Sequence, residues 1–411
     1  MTTTKNNEHK KLNVPNLRFK EFQGEWEKCK VSDLLDFYST NSLSWDKLEY
    51  GTTNIQNLHY GLIHVGLPTM VDIDKDNLPN IIDGNVPKNY ELCKEGDIVF
   101  ADASEDTNEV AKAVEYYNLN GKKVVCGLHT IHGRDNKNKT VVGYKGYAFS
   151  SMSFHHQIRR IAQGTKIYSI NSKNFSECYV GIPSKDEQQK IADLLRLIDE
   201  RIATQNKIIE DLKKLKSAII EMEYSHMTKN ISHIGDFIEQ TSKRNKDKTI
   251  HNVLSVNNRQ GFIQQSEQFE NRNVASDDTS NYKIVEKDDF AFNPARINVG
   301  SIARLTLFER GIVSPMYICF RTRDGLLPEY LDYYFESKPF FTEIQKRLEG
   351  SVRQCLSFDG LCNIPFCVPS VEIQRQIGKR LSTLVQEIKL EIDFLELLQK
   401  QKKILLYQMF I

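Results

Sequence analysis

Charge of one sign is what this sequence most clearly lacks. Its 55 Lys+Arg and 54 Asp+Glu residues leave a formal net charge of only +1. This balance argues against a histone-like protein or an indiscriminate binder of polyanions. It does not exclude a sequence-specific DNA binder, because basic residues can be concentrated on one face. With 411 residues and 40% hydrophobic composition, the chain is expected to be globular and to form two or three domains.

Targeting segments and paired cysteines are also missing. The opening residues MTTTKNNEHKKLNVPNLRF are polar and lack the apolar core of a signal peptide. No stretch approaches the roughly 18 apolar residues of a membrane span. The eight cysteines form no Cys-x-x-Cys pair, which fits scattered reduced thiols better than a disulfide framework. We therefore expect a soluble, cytoplasmic protein.

The sequence motifs of common catalytic sites are absent. There is no GxxxxGK[ST] phosphate loop. The Asn/Asp-Pro-Pro-Tyr/Phe motif of methyltransferases is absent too; its nearest approach, Asn293-Pro294-Ala295-Arg296, lacks the second proline and the aromatic residue. We find no nuclease-like carboxylate cluster. We therefore expect a non-catalytic protein with no catalytic residues.

One short segment raises the question of a metal site. Cys126, His129 and His132 in VVCGLHTIHGR are three potential ligands at close spacing. The alternative interpretation is a strand end and loop from which successive side chains diverge, with no fourth ligand nearby. A second group, Cys355, Cys362 and Cys367, has no histidine partner. We expect no metal on this chain, and a metalloenzyme remains an alternative.

An internal repeat is the strongest signal in the sequence. Ile182-Pro183-Ser184 and the helical pattern after it recur 186 residues later at Val368-Pro369-Ser370. The same offset relates Gln188 to Gln374, Ile191 to Ile377, Leu195 to Leu381, Ile202 to Ile388 and, further back, Tyr144 to Tyr330. The offset grows to 192 at Tyr90 and Tyr282 and to 203 at Val31 and Ile234. The chain is therefore interpreted as a tandem duplication with divergent inserts.

Each copy is predicted to have the same layout. Short β-rich runs lead to a short aromatic helix, and a long helix follows, which Ser184 or Ser370 would cap. The predicted fold class is α+β, with two mixed α/β domains separated by two long antiparallel coiled-coil helices in pseudo-twofold symmetry. The predicted parts are a first domain at 1–183, a spacer helix at 184–229, a second domain at 230–369 and a second spacer helix at 370–411.

The long helices carry apolar residues at alternating steps of four and three, which is typical of a coiled-coil seam. The predicted packing residues are Ile191, Leu195, Ile198, Ile202, Ile209 and Leu212, continued by Leu215, Ile219 and Met222, and Ile377, Leu381, Leu384, Ile388, Leu395 and Leu398. Packing of each helix on its own domain alone is the alternative. Mutual pairing is favoured because a seam of nearly 40 residues, about 58 Å long, exceeds what one such domain covers.

Two related but unequal domains on a rigid spacer suggest a reader of two half-sites in DNA, because half-site spacing follows protein geometry. Divergent inserts would make the target asymmetric. A two-headed coiled-coil scaffold that binds proteins would satisfy the same pattern and stays open here.

The resemblance to a known family is more specific. The opening PNLRFKEFQGEWEKCKVSDLLDF is similar to the lead into the first target-recognition domain of type I restriction–modification specificity subunits. AQGTKIYSINSKNFSECYVGIPSKDEQQKIADLLRLIDERI and GSVRQCLSFDGLCNIPFCVPSVEIQRQIGKRL resemble that family's pattern of Gly-Thr/Ser, short strand, Pro, Glu-Gln and helix. The second copy departs from it at Ile373, which aligns with Glu187.

The resemblance implies a DNA sequence-specificity subunit that binds double-stranded DNA with two target-recognition domains. It also implies partners: two methyltransferase subunits that carry S-adenosylmethionine, and restriction/translocase subunits that use ATP and Mg²⁺ in the full complex. The chain itself would hold no cofactor and would direct adenine methylation and restriction.

The residues that touch DNA are harder to predict. Base edges are read by Arg, Lys, Asn and Gln, and phosphates are bound by Lys, Arg and small polar groups, mostly on loops. The candidates in the first domain are Asn57, His59, Tyr60, Arg134, Lys137, Lys139 and Lys166. Those in the second are Asn257, Asn258, Arg259, Arg296, Asn298 and Arg353. Any single one is equally explained as a solvated turn residue.

Overall fold

The computed structural model describes residues 13–225, 232–258, 260–265, 278–350 and 354–411. The chain forms two compact units. Unit 1 comprises Met1–Asn206 and Asp393–Ile411, and unit 2 comprises Lys207–Ile392. Each unit therefore contains one sequence repeat and half of each long helix. The four-part division predicted from the sequence stays a prediction.

The strands before the first long helix are β1 Glu27–Lys30, β2 Asp36–Tyr38, β3 Leu48–Glu49, β4 Gln56–Leu58, β5 Met70–Asp72, β6 Asn80–Ile81, β7 Ile98–Ala101, β8 Ala103–Ser104, β9 Ala113–Asn118, β10 Val124–Cys126, β11 Thr130–Arg134, β12 Tyr168–Ser169 and β13 Tyr179–Ile182. Those after it are β14 Ser232–His233, β15 Ile238–Thr241, β16 Val253–Asn257, β17 Gly261–Gln264, β18 Lys283–Glu286, β19 Phe290–Phe292, β20 Ile302–Arg304, β21 Arg310–Val313, β22 Ile318–Thr322 and β23 Pro365–Phe366.

The α-helices are α1 Val31–Leu34, α2 Tyr60–His64, α3 Tyr144–Phe149, α4 Met152–Ile161, α5 Ser172–Ser176, α6 Lys185–Ser225, α7 Pro328–Tyr334, α8 Lys338–Gln345, α9 Phe358–Cys362 and α10 Val371–Gln408. Short 3₁₀ turns occupy Trp45–Lys47, Ile234–Asp236 and Ile297–Val299. In the described part of the chain, no helix combines the length and apolar character needed to cross a membrane.

The sheets of the two units share their framework. In unit 1 one sheet has the order β2-β11-β7-β9-β5 and another the order β10-β4-β6-β3. In unit 2 the orders are β15-β22-β19-β20 and β17-β16-β21-β18. The antiparallel pairs β2–β11 and β7–β11 of unit 1 correspond to β15–β22 and β19–β22 of unit 2. The duplication read from the sequence is thus present in the strand pairing.

The single aromatic helix predicted in each copy is wrong in detail, because the structure has two short helices there. Ser150 ends the first helix, and Ser151 caps the second by accepting a hydrogen bond from Phe154 N at 3.3 Å. In unit 2 Ser337 accepts from Phe340 N at the same distance. A serine side chain that caps a new helix start breaks the aromatic run at this position.

Both long helices begin where the sequence predicts. Ser184 Oγ accepts from Glu187 N at 3.4 Å and Ser370 Oγ accepts from Ile373 N at 3.5 Å. Of the predicted packing positions, the twelve from Ile191 to Leu212 and from Ile377 to Leu398 are buried or half-buried. In the predicted extension, Leu215 and Met222 are exposed, so the seam is wrong at these two positions, whereas Ile219 is half-buried against the core of unit 2. The buried face passes through Ile220 and Tyr224, which join the core of unit 2.

Segments of both long helices pack together inside each unit. In unit 1, Asp199 pairs with Lys402 at 2.5 Å, and the Arg201 guanidinium lies 5.3 Å from the Phe394 ring centre, so the two segments run antiparallel. The core of this unit includes Leu195 of α6 and Met409 next to the end of α10. In unit 2 the corresponding segments are linked by Arg380 and Glu223 at 2.6 Å.

Candidate nucleic-acid interface

An aromatic surface in unit 1 assembles two of the predicted DNA contacts. It consists of Trp45, His59, Tyr60, His64 and His129. The ring of His59 lies 4.5 Å from Trp45 and 4.7 Å from Tyr60, and Tyr60 meets His129 edge-on at 5.2 Å. Trp45 and His64 carry no sequence signal for this surface, because only the fold brings them beside the Asn57–Tyr60 segment.

His59 holds this surface together. It is buried, and its Nδ1 accepts a hydrogen bond from Gly61 N at 3.1 Å, which caps α2. Burial, and secondarily the nearby His129, lower the pKa of His59. Its imidazole is therefore neutral at neutral pH and supports the flanking rings. Trp45 and the side chain of His129 remain about half exposed.

A hairpin at residues 163–169 adjoins the aromatic surface and carries Lys166, which is exposed. Its strand β12 pairs with β8, and Ile170 N donates to Asp102 O at 3.0 Å. Asp102 in turn contacts His129 at 3.1 Å, and Ala103 O contacts His64 at 2.9 Å. Gly164 has φ +139, and an added Cβ would lie 1.9 Å from Ile167 O, so only glycine fits this turn.

The corresponding surface of unit 2 has different side chains. Asn257 and Asn258 lie at the turn between β16 and β17, and Arg296 and Asn298 lie on the loop between β19 and β20. The two turns touch, since a Cβ built on Gly300 would lie 3.7 Å from Asn258 Cβ. We call these four residues the Asn–Arg surface. Arg296 is exposed and has no ion-pair partner in the described part of the chain.

The two surfaces are supported in equivalent ways. In unit 2, Leu356 N donates to Pro294 O at 3.0 Å, which matches the bond from Ile170 to Asp102 in unit 1. This bond ties the segment after the Glu349–Cys355 bridge to the Arg296 loop. The predicted contacts Arg259 and Arg353 lie outside the described residues. The repeat thus supplies one framework for two chemically different surfaces.

Other predicted contacts of unit 1 lie elsewhere. Lys137 donates to Asp33 O at 2.8 Å and Lys139 to Glu27 at 2.7 Å, so the basic loop packs against the start of the domain. Asn57 is buried and accepts from Asn41 at 2.7 Å. These contacts provide a structural reason for all three residues, and DNA binding by them stays a prediction.

Arg134 has the clearest structural role among the predicted residues. It is buried in β11, where its guanidinium binds Asp97 at 2.8 Å, Glu91 at 2.7 Å and Leu92 O at 2.8 Å. The hydrogen bond with Asp97 raises the pKa of Arg134 further. In unit 2, Arg321 and Asp289 form the matching pair at 3.0 Å. A pair that recurs in both copies is best explained by the shared framework, not by base reading.

Of the three potential metal ligands Cys126, His129 and His132, the structure brings two close together. Cys126 and His132 are buried neighbours, whereas His129 belongs to the exposed aromatic surface. The third member of the buried group is Cys93, which lies 33 residues before Cys126 in the chain. No spacing motif links these two positions, so the sequence contained no signal for Cys93.

Comparisons with known proteins agree with the sequence-based recognition. The family model for the type I restriction modification DNA specificity domain matches residues 24–214. The putative type I restriction enzyme MjaX specificity subunit of Methanocaldococcus jannaschii is 24% identical, over 96% of this chain and 95% of its own length.

Solved structures show the same fold. The S subunit of the type I restriction–modification system from M. genitalium aligns with a TM-score of 0.55 at 17% identity, over 97% of this chain and 99% of its own. A chain from a structural study of complex assembly and conformational transition of the type I R-M system aligns with a TM-score of 0.57 at 14% identity, over 93% and 96%. The recognition is therefore confirmed: residues 24–214 match the type I DNA specificity domain, and the chain is similar to type I restriction–modification specificity subunits over nearly its whole length.

Proposed function

We propose that this chain reads a bipartite, asymmetric DNA target, with one half-site for each unit. The observation that carries the proposal is the duplicated framework with two unlike surfaces. The aromatic surface offers Tyr60 and His129 with Lys166 nearby, and the Asn–Arg surface offers Asn258 and Arg296. Asparagine side chains pair with adenine edges in the major groove, and arginine side chains pair with guanine edges. Because the two surfaces have the same framework but different side chains, we expect the two half-sites to differ in base sequence.

Catalysis is assigned to partner subunits under this proposal. Specificity subunits as a family direct chemistry that others perform, and this chain would direct adenine methylation by two methyltransferase subunits and restriction by translocase subunits. S-adenosylmethionine, ATP and Mg²⁺ would be bound there. The complex would act in the cytoplasm, where bacterial and archaeal DNA is found.

Exposed apolar residues on the long helices support a helical protein partner. In unit 2, Ile208, Leu215 and Met222 of α6 are exposed at intervals of seven residues, and in unit 1 Leu397 and Ile404 of α10 are exposed at the same interval. We call these the α6 stripe and the α10 stripe. An exposed apolar row at heptad spacing is the pattern by which a helix binds another helix. We assign one methyltransferase subunit to each stripe.

The test of DNA reading compares two substitutions, one in each unit. Full-length chain is assembled with its methyltransferase subunits, and the base preference is determined by selection from random DNA and by mapping methylated adenines. Tyr60→Ala is expected to weaken preference in one half of the target and Arg296→Ala in the other. Each loss should be about 1–3 kcal/mol, or roughly 5- to 150-fold, at the positions read.

Matched controls separate base reading from folding. Arg310 is exposed at the start of β21, which runs parallel to β16, so it lies at the opposite end of the sheet from the Asn258 turn. Arg310→Ala and Tyr90→Ala, another exposed tyrosine of unit 1, should leave both halves unchanged. A scaffold that binds only proteins would retain no DNA sequence selectively, and loss of assembly alone in Arg296→Ala would contradict the role of Arg296.

A further inference from the structure

A buried group of metal-ligand side chains lies in unit 1 beside the aromatic surface. The potential ligand atoms of Cys93, Cys126 and His132 all lie within 4.8 Å of one another, and all three residues are buried. The two sulfur atoms are 3.4 Å apart. Cys126 ends β10, His132 lies in β11, and Cys93 is held to β10 by its backbone N–H, which donates to Val124 O at 2.8 Å.

His132 is oriented as a metal ligand would be. Its Nε2 lies 2.7 Å from Asp97 Oδ2, and its Nδ1 is buried without a hydrogen-bond partner in the described part of the chain. An Nε2–H that donates to the carboxylate leaves a lone pair on Nδ1. A buried acceptor with no partner is unfavourable, because it has lost its hydrogen bonds to water without replacement. A carboxylate that orients a histidine in this way is the usual second shell of zinc.

Charge also favours a divalent cation at this position. One Zn²⁺ with two thiolates and a neutral imidazole carries no net charge, so a buried site made of these three side chains is electrically balanced when it holds the ion. Asp97 is already neutralised by Arg134, with which it forms two hydrogen bonds at 2.8 Å.

The second copy shows what the framework contains when these ligands are absent. Cys93 corresponds to Val285 and Cys126 to Val313, and His132 corresponds to Cys319; all three residues of unit 2 are buried in one apolar cluster. Asp97 and Arg134 nevertheless recur as Asp289 and Arg321. The fold therefore tolerates apolar side chains at these positions, and the Cys/Cys/His group is an addition specific to unit 1.

We propose that Cys93, Cys126 and His132 Nδ1 bind one zinc ion, which revises our sequence-based expectation of no metal. Zn²⁺ prefers Cys and His ligands in a tetrahedral set, at about 2.3 Å to sulfur and 2.0 Å to nitrogen. The buried Tyr116 hydroxyl, which has both cysteines as electrostatic neighbours, is available as the fourth ligand. The ion has a structural role because none of its ligands is exposed.

The site would fix the base of the aromatic surface. Cys126 O accepts from the backbone and side-chain nitrogens of Asn41, both at 2.9 Å, and Gly127 N donates to Leu58 O. A zinc ion on Cys126 would therefore order both segments that lead to the surface, the one before Trp45 and the one before His59. This inference concerns metal binding and does not depend on which bases the surface contacts.

The test measures zinc directly in the full-length chain. The protein is purified with a phosphine reductant and without chelator, and zinc per chain is determined by mass spectrometry. About one equivalent is expected, and removal by a chelator should lower the melting temperature, which added zinc restores. Cobalt substitution should produce the thiolate-to-metal charge-transfer absorption of a Cys-ligated site.

Variants localise the ion and keep the test independent of folding. Cys93→Val/Cys126→Val uses the residues that unit 2 has at these positions, so it should fold and retain less than a tenth of the zinc. His129→Ala and Cys178→Ser, a buried free thiol elsewhere in unit 1, should retain all of it. Absence of zinc from the native chain after incubation with zinc, full retention by the valine variant, or a Cys93–Cys126 disulfide in the reduced preparation would overturn the proposal.

Discussion

At the scale of single residues, Asp332 is a carboxylate in an unfavourable place. It lies in α7 beside Arg304 at 3.4 Å. Burial raises its pKa to about 6, although Arg304 acts in the opposite direction. Because the pKa of Asp332 is higher in the folded state than its ordinary value of 3.8, the contribution of this carboxyl group to folding stability is fully present below pH 3.8. That contribution is lost as the pH rises through about 6. At pH 7 the ionised Asp332 therefore costs stability.

Asp332→Asn is expected to stabilise the protein at pH 7. Because about a third of the side chain is exposed, solvent screens the effect, and we expect a gain of about 1–2 kcal/mol in the free energy of unfolding. The gain should vanish near pH 4, where the wild-type carboxyl is also neutral. Urea unfolding at both pH values measures it, with the exposed Asp324→Asn as control. A gain of equal size at pH 4 would contradict the electrostatic cause.

The surface positions of the candidate contact residues could be predicted from the sequence only in part, and their contact with DNA stays a prediction. Arg296 and Asn258 are exposed, as expected for polar residues in Gly/Asn loops. Arg134 has the same chemistry but lies in a strand, where Asp97 and Glu91 bind it. The local composition around Arg134 did not show whether this residue lies in a loop or in a strand. Cys93 and Trp45 act through neighbours distant in sequence, which requires the fold to be known.

At the scale of elements, one buried glutamine attaches each long helix to its unit. Gln188 Nε2 donates to Lys139 O at 3.0 Å and Pro183 O at 2.9 Å, and its Oε1 accepts from Val141 N at 2.9 Å. Gln374 makes the same three bonds, to Gly325 O, Pro369 O and Leu327 N, each at 2.8 Å. Every partner is shifted by the 186-residue offset of the repeat.

Gln188→Ala and Gln374→Ala are each expected to cost about 2–4 kcal/mol, because three backbone groups lose their partner at a buried position. The exposed Gln376→Ala should cost less than about 0.5 kcal/mol. Hydrogen exchange localises the effect: Gln188→Ala should speed exchange at Val141 and not at Leu327, and Gln374→Ala should do the reverse. Faster exchange across both units in either variant would show that the junctions are not independent.

Element boundaries were predicted well where the sequence repeats and poorly elsewhere. The paired Pro-Ser motif marked both long-helix starts, and the four-three spacing identified the buried positions up to Leu212. Beyond it Leu215 kept the spacing but is exposed, because Ile220 and Tyr224 turn towards the core of unit 2. Glu187 also has no counterpart in the second copy: Arg18 binds it at 2.7 Å, whereas Ile373 is exposed.

At the scale of the whole molecule, each unit receives the start of one long helix and the end of the other. Phe410 packs on Tyr144 at 5.9 Å in unit 1, and its equivalent Tyr224 packs on Tyr330 at 4.9 Å in unit 2. Lys402 lies 5.8 Å from the Tyr147 ring, and Lys216 lies 5.7 Å from the Tyr333 ring. The repeat thus specifies two features of each unit: the start of one long helix and the packing contacts for the end of the other.

This duplication predicts a countable property of the assembled complex. The α6 stripe belongs to unit 2 and the α10 stripe to unit 1, so each should bind one methyltransferase subunit. Leu215→Glu and Leu397→Glu are each expected to reduce the stoichiometry from two methyltransferase subunits to one, and the double variant to none, because a buried unpaired charge opposes helix packing. Native mass spectrometry of the purified complex counts the subunits.

Charge controls at nearby positions decide whether the stripes themselves matter. Ser217→Glu and Gln399→Glu add the same single negative charge two positions after Leu215 and Leu397, on a different face of each helix, and should leave two methyltransferase subunits bound. Both stripe variants should also keep the wild-type melting temperature, since Leu215 and Leu397 are exposed. If the double stripe variant still binds two subunits, the partner docks elsewhere; if a single variant loses both, the two sites are coupled and the units do not act as independent docking modules.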